Sequence, residues 1–178
     1  MTHLITTTEF SALARPVSIH LDTDEINKFI DECENVYIIP AIGYDHFNAI
    51  MESDPFVDMD ADFDVRILLN GGAFSRSACG CNDTTLDYCV GLKKTLSYFV
   101  YARMGRADGS IVARSGYMRH RDQYGDHVPT DKKQYDDVMT TAEQYLASCV
   151  RYLQAHALTC GSIKPVRGTR ATIKAIGD

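Results

Sequence analysis

Apolar residues recur along the chain at helical intervals, and glycine, proline and capping residues divide them into a short series of segments. Ile26, Phe29, Ile30, Cys33, Val36 and Tyr37 fall at offsets 0, 3, 4, 7, 10 and 11, which is one face of a helix. Asp24, Glu25, Asn27, Asp31, Glu32, Glu34 and Asn35 occupy the opposite face. Tyr135, Val138, Met139, Ala142, Tyr145, Leu146, Cys149, Tyr152 and Leu153 follow offsets 0, 3, 4, 7, 10, 11, 14, 17 and 18. They predict a helix from a Thr130 cap to about Ala157. Between these two, Leu86, Cys89, Val90, Leu92, Leu96, Phe99, Val100 and Tyr101 predict a long helix from a cap at Asp83 or Thr84 to about Arg106. Its apolar residues surround most of its circumference, as in a helix packed on several sides.

Shorter elements fill the gaps. Thr6 with Glu9 is a capping box and predicts a helix from Thr7 to Ala14, stopped by Pro16; Asp22 with Glu25 repeats the signal. Pro40 withholds an amide hydrogen and pushes Ile39 from helical geometry, so the acidic helix is expected to end or kink there. After Gly43, the residues Tyr44, Phe47, Ile50 and Met51 predict a short helix folding back over the first. Residues 53 to 60 read as loop. Phe63, Ile67 and Leu68 predict a helix capped at Asn70-Gly71-Gly72, and "AFSRSACGCND" reads as loop. From Ala107 to Pro129, glycine and proline breaks without a sustained period predict an extended arm or hairpin. The expected fold is all-α: a compact bundle of about five helices with a long arm before the last. Residues 1–160 form the helical domain, and 161–178 a basic tail.

Composition refines this picture. At 178 residues, 45% hydrophobic and 24% charged, the chain has one domain's length and enough apolar content for a core. The N-terminus "MTHLITTTEF" lacks the basic region and apolar run of a signal peptide, and no segment has the roughly 20 apolar residues of a membrane span, so a cytosolic protein without membrane contact is expected. The net charge of −6 is unevenly spread. Residues 1 to 64 carry 14 acids against two bases, and residues 65 to 178 carry 10 acids against 16 bases. The two halves can pair within one molecule, or the acidic half of one copy can meet the basic half of the next.

Candidate chemistry is sparse. The six cysteines read as thiols in a reducing compartment. Cys79 and Cys81, with Cys89 eight residues on, could offer zinc three thiolates, but the spacing matches no standard zinc pattern. Cys33 and Cys149 fall on core stripes. His120, Asp122, Asp126 and His127 cluster in the arm without a nucleophile motif or phosphate-binding loop beside them. Arg114, Arg119 and Arg121, interleaved with Tyr117 and Tyr124, suit a protein partner better than a dedicated nucleic-acid site, because affinity for a phosphate backbone needs net basic surface. Tyr135, Tyr145 and Tyr152 read as core packing with the hydroxyl at the rim.

The acidic helix running into "YIIPAIG", the apolar helix ending in "YFVYARMGR", the glycine-containing arm and the final helix "YDDVMTTAEQYLASCVRYLQ" together resemble the head-to-tail connector (adaptor) proteins of tailed bacteriophages. They resemble in particular the versions carried by prophages of Bacteroides-type gut bacteria, over roughly residues 6 to 156. The "SRSACGC" stretch, the longer arm and the basic tail depart from shorter connectors. The resemblance implies an all-helical, non-enzymatic structural subunit of the virion, assembled in the host bacterial cytoplasm. Self-association would give a ring of about a dozen copies beneath the portal, and the ring would bind portal and tail or stopper proteins. DNA would pass through without being specifically bound.

No catalytic, cofactor-binding or metal-binding residue follows from the resemblance, and no cofactor is expected. Charge assigns partner binding to Asp31, Glu32 and Glu34 of the acidic helix, to Arg114, Arg119 and Arg121 of the arm, and to Lys164, Arg167, Arg170 and Lys174 of the tail. The alternative reading is a small helical DNA- or zinc-binding regulatory protein built on Cys79, Cys81 and the arginine-rich arm.

Overall fold

The computed structural model describes residues 3–15, 23–54, 56, 59–77, 84–107, 111–113, 116–118 and 132–157. An N-terminal strap buries Leu4 and Ile5 and leads into α1 (Thr7–Leu13). The capping box predicted from Thr6 and Glu9 is present: Thr6 Oγ1 accepts from the Glu9 amide at 3.2 Å, and a Glu9 carboxylate oxygen accepts from the Thr6 amide at 2.9 Å. The Glu9 carboxyl is held below its ordinary range by Lys93, whose Nζ lies 2.6 Å away, and by the Thr6 amide. Thr6→Ala is expected to cost about 1 kcal/mol of unfolding free energy, measured by urea denaturation, with the core otherwise intact.

Helix α2 (Thr23–Cys33) buries Ile26, Ile30 and Cys33, as the periodicity predicts. Pro40 does not end it. The chain instead widens into a π turn (Glu34–Ile38) and continues as α3 (Ile39–Ile42), with Pro40 in its first turn. In an α-helix the Pro40 ring would meet the carbonyl four residues back. Here the Ile39 amide donates to the Glu34 carbonyl, five residues back, and the wider turn makes room for the ring. The break comes at Gly43, whose φ of +90° is helix-ending geometry that glycine adopts without strain. Helix α4 (Tyr44–Glu52) then folds back against α3.

The π turn also changes which side chains face inward, because each residue rotates the chain less than in an α-helix. Val36, expected on the apolar stripe, is 48% exposed. Glu34, expected on the outer face as a partner-binding residue, is buried.

Helix α5 (Val65–Asn70) starts at an Asp64 cap, whose side chain accepts from the Arg66 amide at 2.8 Å, and ends at Gly71 with φ +92°. The described residues are mostly helical, as expected, but not purely α. The predicted "AFSRSACGCND" loop begins as β1 (Gly72–Ser77), and the first turns of the predicted long helix are β2 (Thr84–Cys89), paired antiparallel with Phe74 opposite Asp87 and Ala73 opposite Tyr88. Leu86, Cys89 and Val90 match the helical spacing of Leu92 and Leu96, but "TTLDYC" also alternates with a period of two. Gly91 decides between the two periods. Its φ of +95° interrupts any helix, so α6 runs only over Leu92–Ala107.

A second pair, β3 (Ile111–Ala113) with β4 (Gly116–Met118), forms the hairpin allowed for the arm. Helix α7 (Lys132–His156) matches the predicted stripe. Helices α6 and α7 pack as a central pair; α1 and α2 lie on α6, and the β1–β2 ribbon lies on α7. Leu92, Leu96, Phe99 and Val100 of α6 are fully buried, as are Cys149, Tyr152 and Leu153 of α7. Tyr37 stacks on Phe99, with centroids 4.3 Å apart. The Tyr152 hydroxyl does not reach a rim: it donates to the Asp64 carbonyl at 3.0 Å and accepts from the Asp64 amide at 2.8 Å.

Candidate interaction surface

Among the described residues, two exposed regions stand apart from this core. The first is the acidic flank. Asp24, Glu25, Asp31 and Glu32 are exposed on α2, and Asp45 and Glu52 on α4. The charge asymmetry of the sequence is partly consumed inside the molecule: Glu9 pairs with Lys93 at 2.6 Å and Glu32 with Arg103 at 2.7 Å, each joining an acid of the first half to a base of the second. Arg103 also lies over the Tyr37 ring at 5.7 Å. Glu32 is therefore tied to α6, while Asp31 keeps its carboxylate on the open side. Glu34 accepts from the Leu4 amide at 2.6 Å and is not a surface group.

The second region is the outer face of the ribbon. Alternation sends Phe74 and Cys89 inward, to 5% and 0% exposure, and leaves Leu86 and Tyr88 outward at 79% and 58%. Ala73 and Ser75, their cross-strand partners, are exposed beside them. At the corner, Val36, Pro40 and Tyr44 add further exposed apolar surface next to acidic residues. Isolated apolar side chains on a surface are ordinary; Leu86 and Tyr88 stand together on one strand face.

Comparison with known proteins adds one finding. A family described as being of unknown function, DUF6712, matches residues 38–162, more than half of the chain. The chain belongs to DUF6712. The DUF6712 match takes in the corner, the ribbon, the central pair and the arm, and begins after α1 and α2. No curated protein and no solved structure matches.

The remaining residues assigned from sequence fall unevenly on this DUF6712 fold. Arg114, Arg119 and Arg121 of the arm, and Lys164, Arg167, Arg170 and Lys174 of the tail, lie outside the described residues, as do Cys79, Cys81, His120, Asp122, Asp126 and His127. Cys89 does not sit on a helix. It ends β2 inside the core, with its Sγ 3.8 Å from that of Cys149, and the hydrogen bond to Cys149 together with burial pushes its thiol pKa up. Burial likewise pushes the Cys33 thiol up to about 12. Both behave as small apolar residues, as expected of Cys33 and Cys149.

Sequence reasoning missed Leu86 and Tyr88, although the period-two alternation of "TTLDYC" carried the signal. It also missed His156, which extends the final helical stripe to offset 21 from Tyr135. His156 is buried among Phe63, Phe74 and Tyr152, and its Nδ1 lies 2.9 Å from Asp60. With the Asp60 amide donating to the His156 carbonyl at 2.9 Å, this contact fastens the segment before α5 to the end of α7. Among the described residues, no helix is long and apolar enough to cross a membrane.

Proposed function

We propose that this protein is a head-to-tail connector of a tailed-phage virion, a structural subunit that forms a ring on the portal and presents a docking surface to the tail. The observation that carries the reading is the presence of two unlike outer faces on opposite partners of the central pair: carboxylates on α2, which packs on α6, and Leu86 with Tyr88 on the ribbon, which packs on α7. A closed ring requires a heterologous contact, in which one patch meets a different patch of the neighbour. A body with one acidic and one apolar face meets that requirement without internal symmetry. The "YIIPAIG" corner and the order of helices support the reading through their resemblance to phage connectors. Exposed carboxylates also suit a channel wall along which DNA slides without sticking, since like charges repel.

The reading is tested by asking whether the gene cluster that holds this gene encodes a portal protein and, if so, by purifying that protein with this chain. The purified proteins, mixed at low and moderate salt, are expected to co-elute as one complex holding several copies of this chain per portal. Failure of portal and tail proteins of the same gene cluster to associate at either salt concentration would contradict it.

A further inference from the structure

The buried Glu34 carboxylate poses a problem that the connector reading leaves unanswered. Its two described polar partners are the Leu4 amide on Oε1 at 2.6 Å and His3 Nδ1 on Oε2 at 3.1 Å. Among the described residues, no Lys or Arg lies within ion-pair distance of it, and His3 carries charge only when protonated. A carboxylate taken out of water needs a compensating positive charge.

Asp31, three residues earlier and so on the same side of the helix, brings a second carboxylate. Ligand atoms of His3, Asp31 and Glu34 lie within 4.8 Å of one another. All three line one groove of about 340 Å³, whose walls add Asn35, Asn48 and Glu52 as further oxygen donors.

We infer that His3, Asp31 and Glu34 form a binding site for a divalent transition-metal ion of the zinc type, which clamps the N-terminal strap to the π turn. One imidazole nitrogen with two carboxylates is a mixed donor set that suits zinc better than magnesium, which prefers oxygen ligands and retained waters. Ligand atoms about 2 Å from an ion stand at most about 4 Å apart. Exposed Asp31 has the side-chain freedom to close the remaining gap. Ligation uses the Nδ1 lone pair, so the His3 tautomer protonated on Nε2 is the binding form. The ion supplies the charge that Glu34 lacks and holds the strap carrying Leu4 and Ile5 in place.

The test uses tag-free full-length protein with Cys79, Cys81 and Cys160 replaced by serine, so that thiols do not compete. Calorimetric titration with Zn²⁺ is expected to show one site per chain, and Zn²⁺ is expected to raise the melting temperature while Mg²⁺ at the same concentration leaves it unchanged. Asp31→Ala, at an exposed position, and His3→Ala are each expected to weaken Zn²⁺ binding at least tenfold, with Asp31→Ala keeping the metal-free melting temperature. Absence of saturable binding, binding undiminished in both variants, or an equal response to Mg²⁺ would each overturn the assignment. Portal association is scored separately and does not bear on this result.

Discussion

Replacing Gly91 with alanine is expected to destabilise the fold by about 3 kcal/mol or more. Two independent causes act at that position. The backbone sits at φ +95°, a region that residues with a Cβ adopt at a cost of about 1–3 kcal/mol. An added Cβ would also lie 2.6 Å from the carbonyl carbon of Asn70 and from the amide nitrogen of Gly71, and 2.8 Å from the Leu69 carbonyl oxygen. These are backbone atoms at the closed end of α5, so no side chain can rotate away. The contact is reciprocal, since a Cβ on Gly71 would come within 2.6 Å of the Val90 carbonyl oxygen. The two glycines thus form a backbone crossing at which α5, the ribbon and α6 meet, and Gly91 also provides the carbonyl that accepts from the Thr95 amide at 3.1 Å and the Thr95 hydroxyl at 2.8 Å. At about 2–4 °C per kcal/mol for a domain of this size, the melting temperature should fall by roughly 6–12 °C. A loss below about 0.5 kcal/mol in urea or thermal unfolding would show that the two backbones do not touch in solution.

The second large effect concerns assembly. Leu86→Asp combined with Tyr88→Asp is expected to change folding stability by no more than about 1 kcal/mol, because both side chains face solvent and aspartate is only a moderately poor strand residue. The same pair is expected to weaken association with the portal-bound ring at least about 30-fold, the equivalent of one interface hot spot of about 2 kcal/mol. The reason is that placing charge on an apolar contact leaves it desolvated and unpaired. Circular dichroism melts and affinity measurements on immobilised portal separate the two effects. Unchanged affinity in the double variant would remove the ribbon from the interface.

Much of the architecture was legible in the sequence wherever one periodicity acted alone. The stripes on α2 and α7, the Thr6–Glu9 capping box, the glycine stop after α5 and the buried thiols of Cys33 and Cys149 all follow from local patterns that tertiary packing reinforces. The misreadings have a common origin, in that two patterns overlapped and a backbone feature chose between them. Leu86, Cys89 and Val90 satisfy a helical period while Leu86, Asp87 and Tyr88 alternate as in a strand, and the positive φ of Gly91 selects the strand. Pro40 is compatible with either a helix end or a widened turn. The turn prevails because Ile38 and Ile42 are both buried when the helix continues, and the same choice turns Glu34 inward and Val36 outward. The acidic flank was legible as a charge pattern, yet which acids bond within the molecule depends on Lys93 and Arg103, more than 60 residues away in the chain, beyond the reach of local patterns.

The central claim is that this helical body works by docking side by side on a portal through two unlike faces. Electron microscopy of portal mixed with this chain, class-averaged along the portal axis, tests it most directly. The account predicts a closed ring of identical copies, with the ribbon of each against a different face of its neighbour and the ring missing for the Leu86→Asp, Tyr88→Asp variant. Bare portals at saturating concentrations of the wild-type chain, or a complex in which the ribbon faces open solvent, would contradict it.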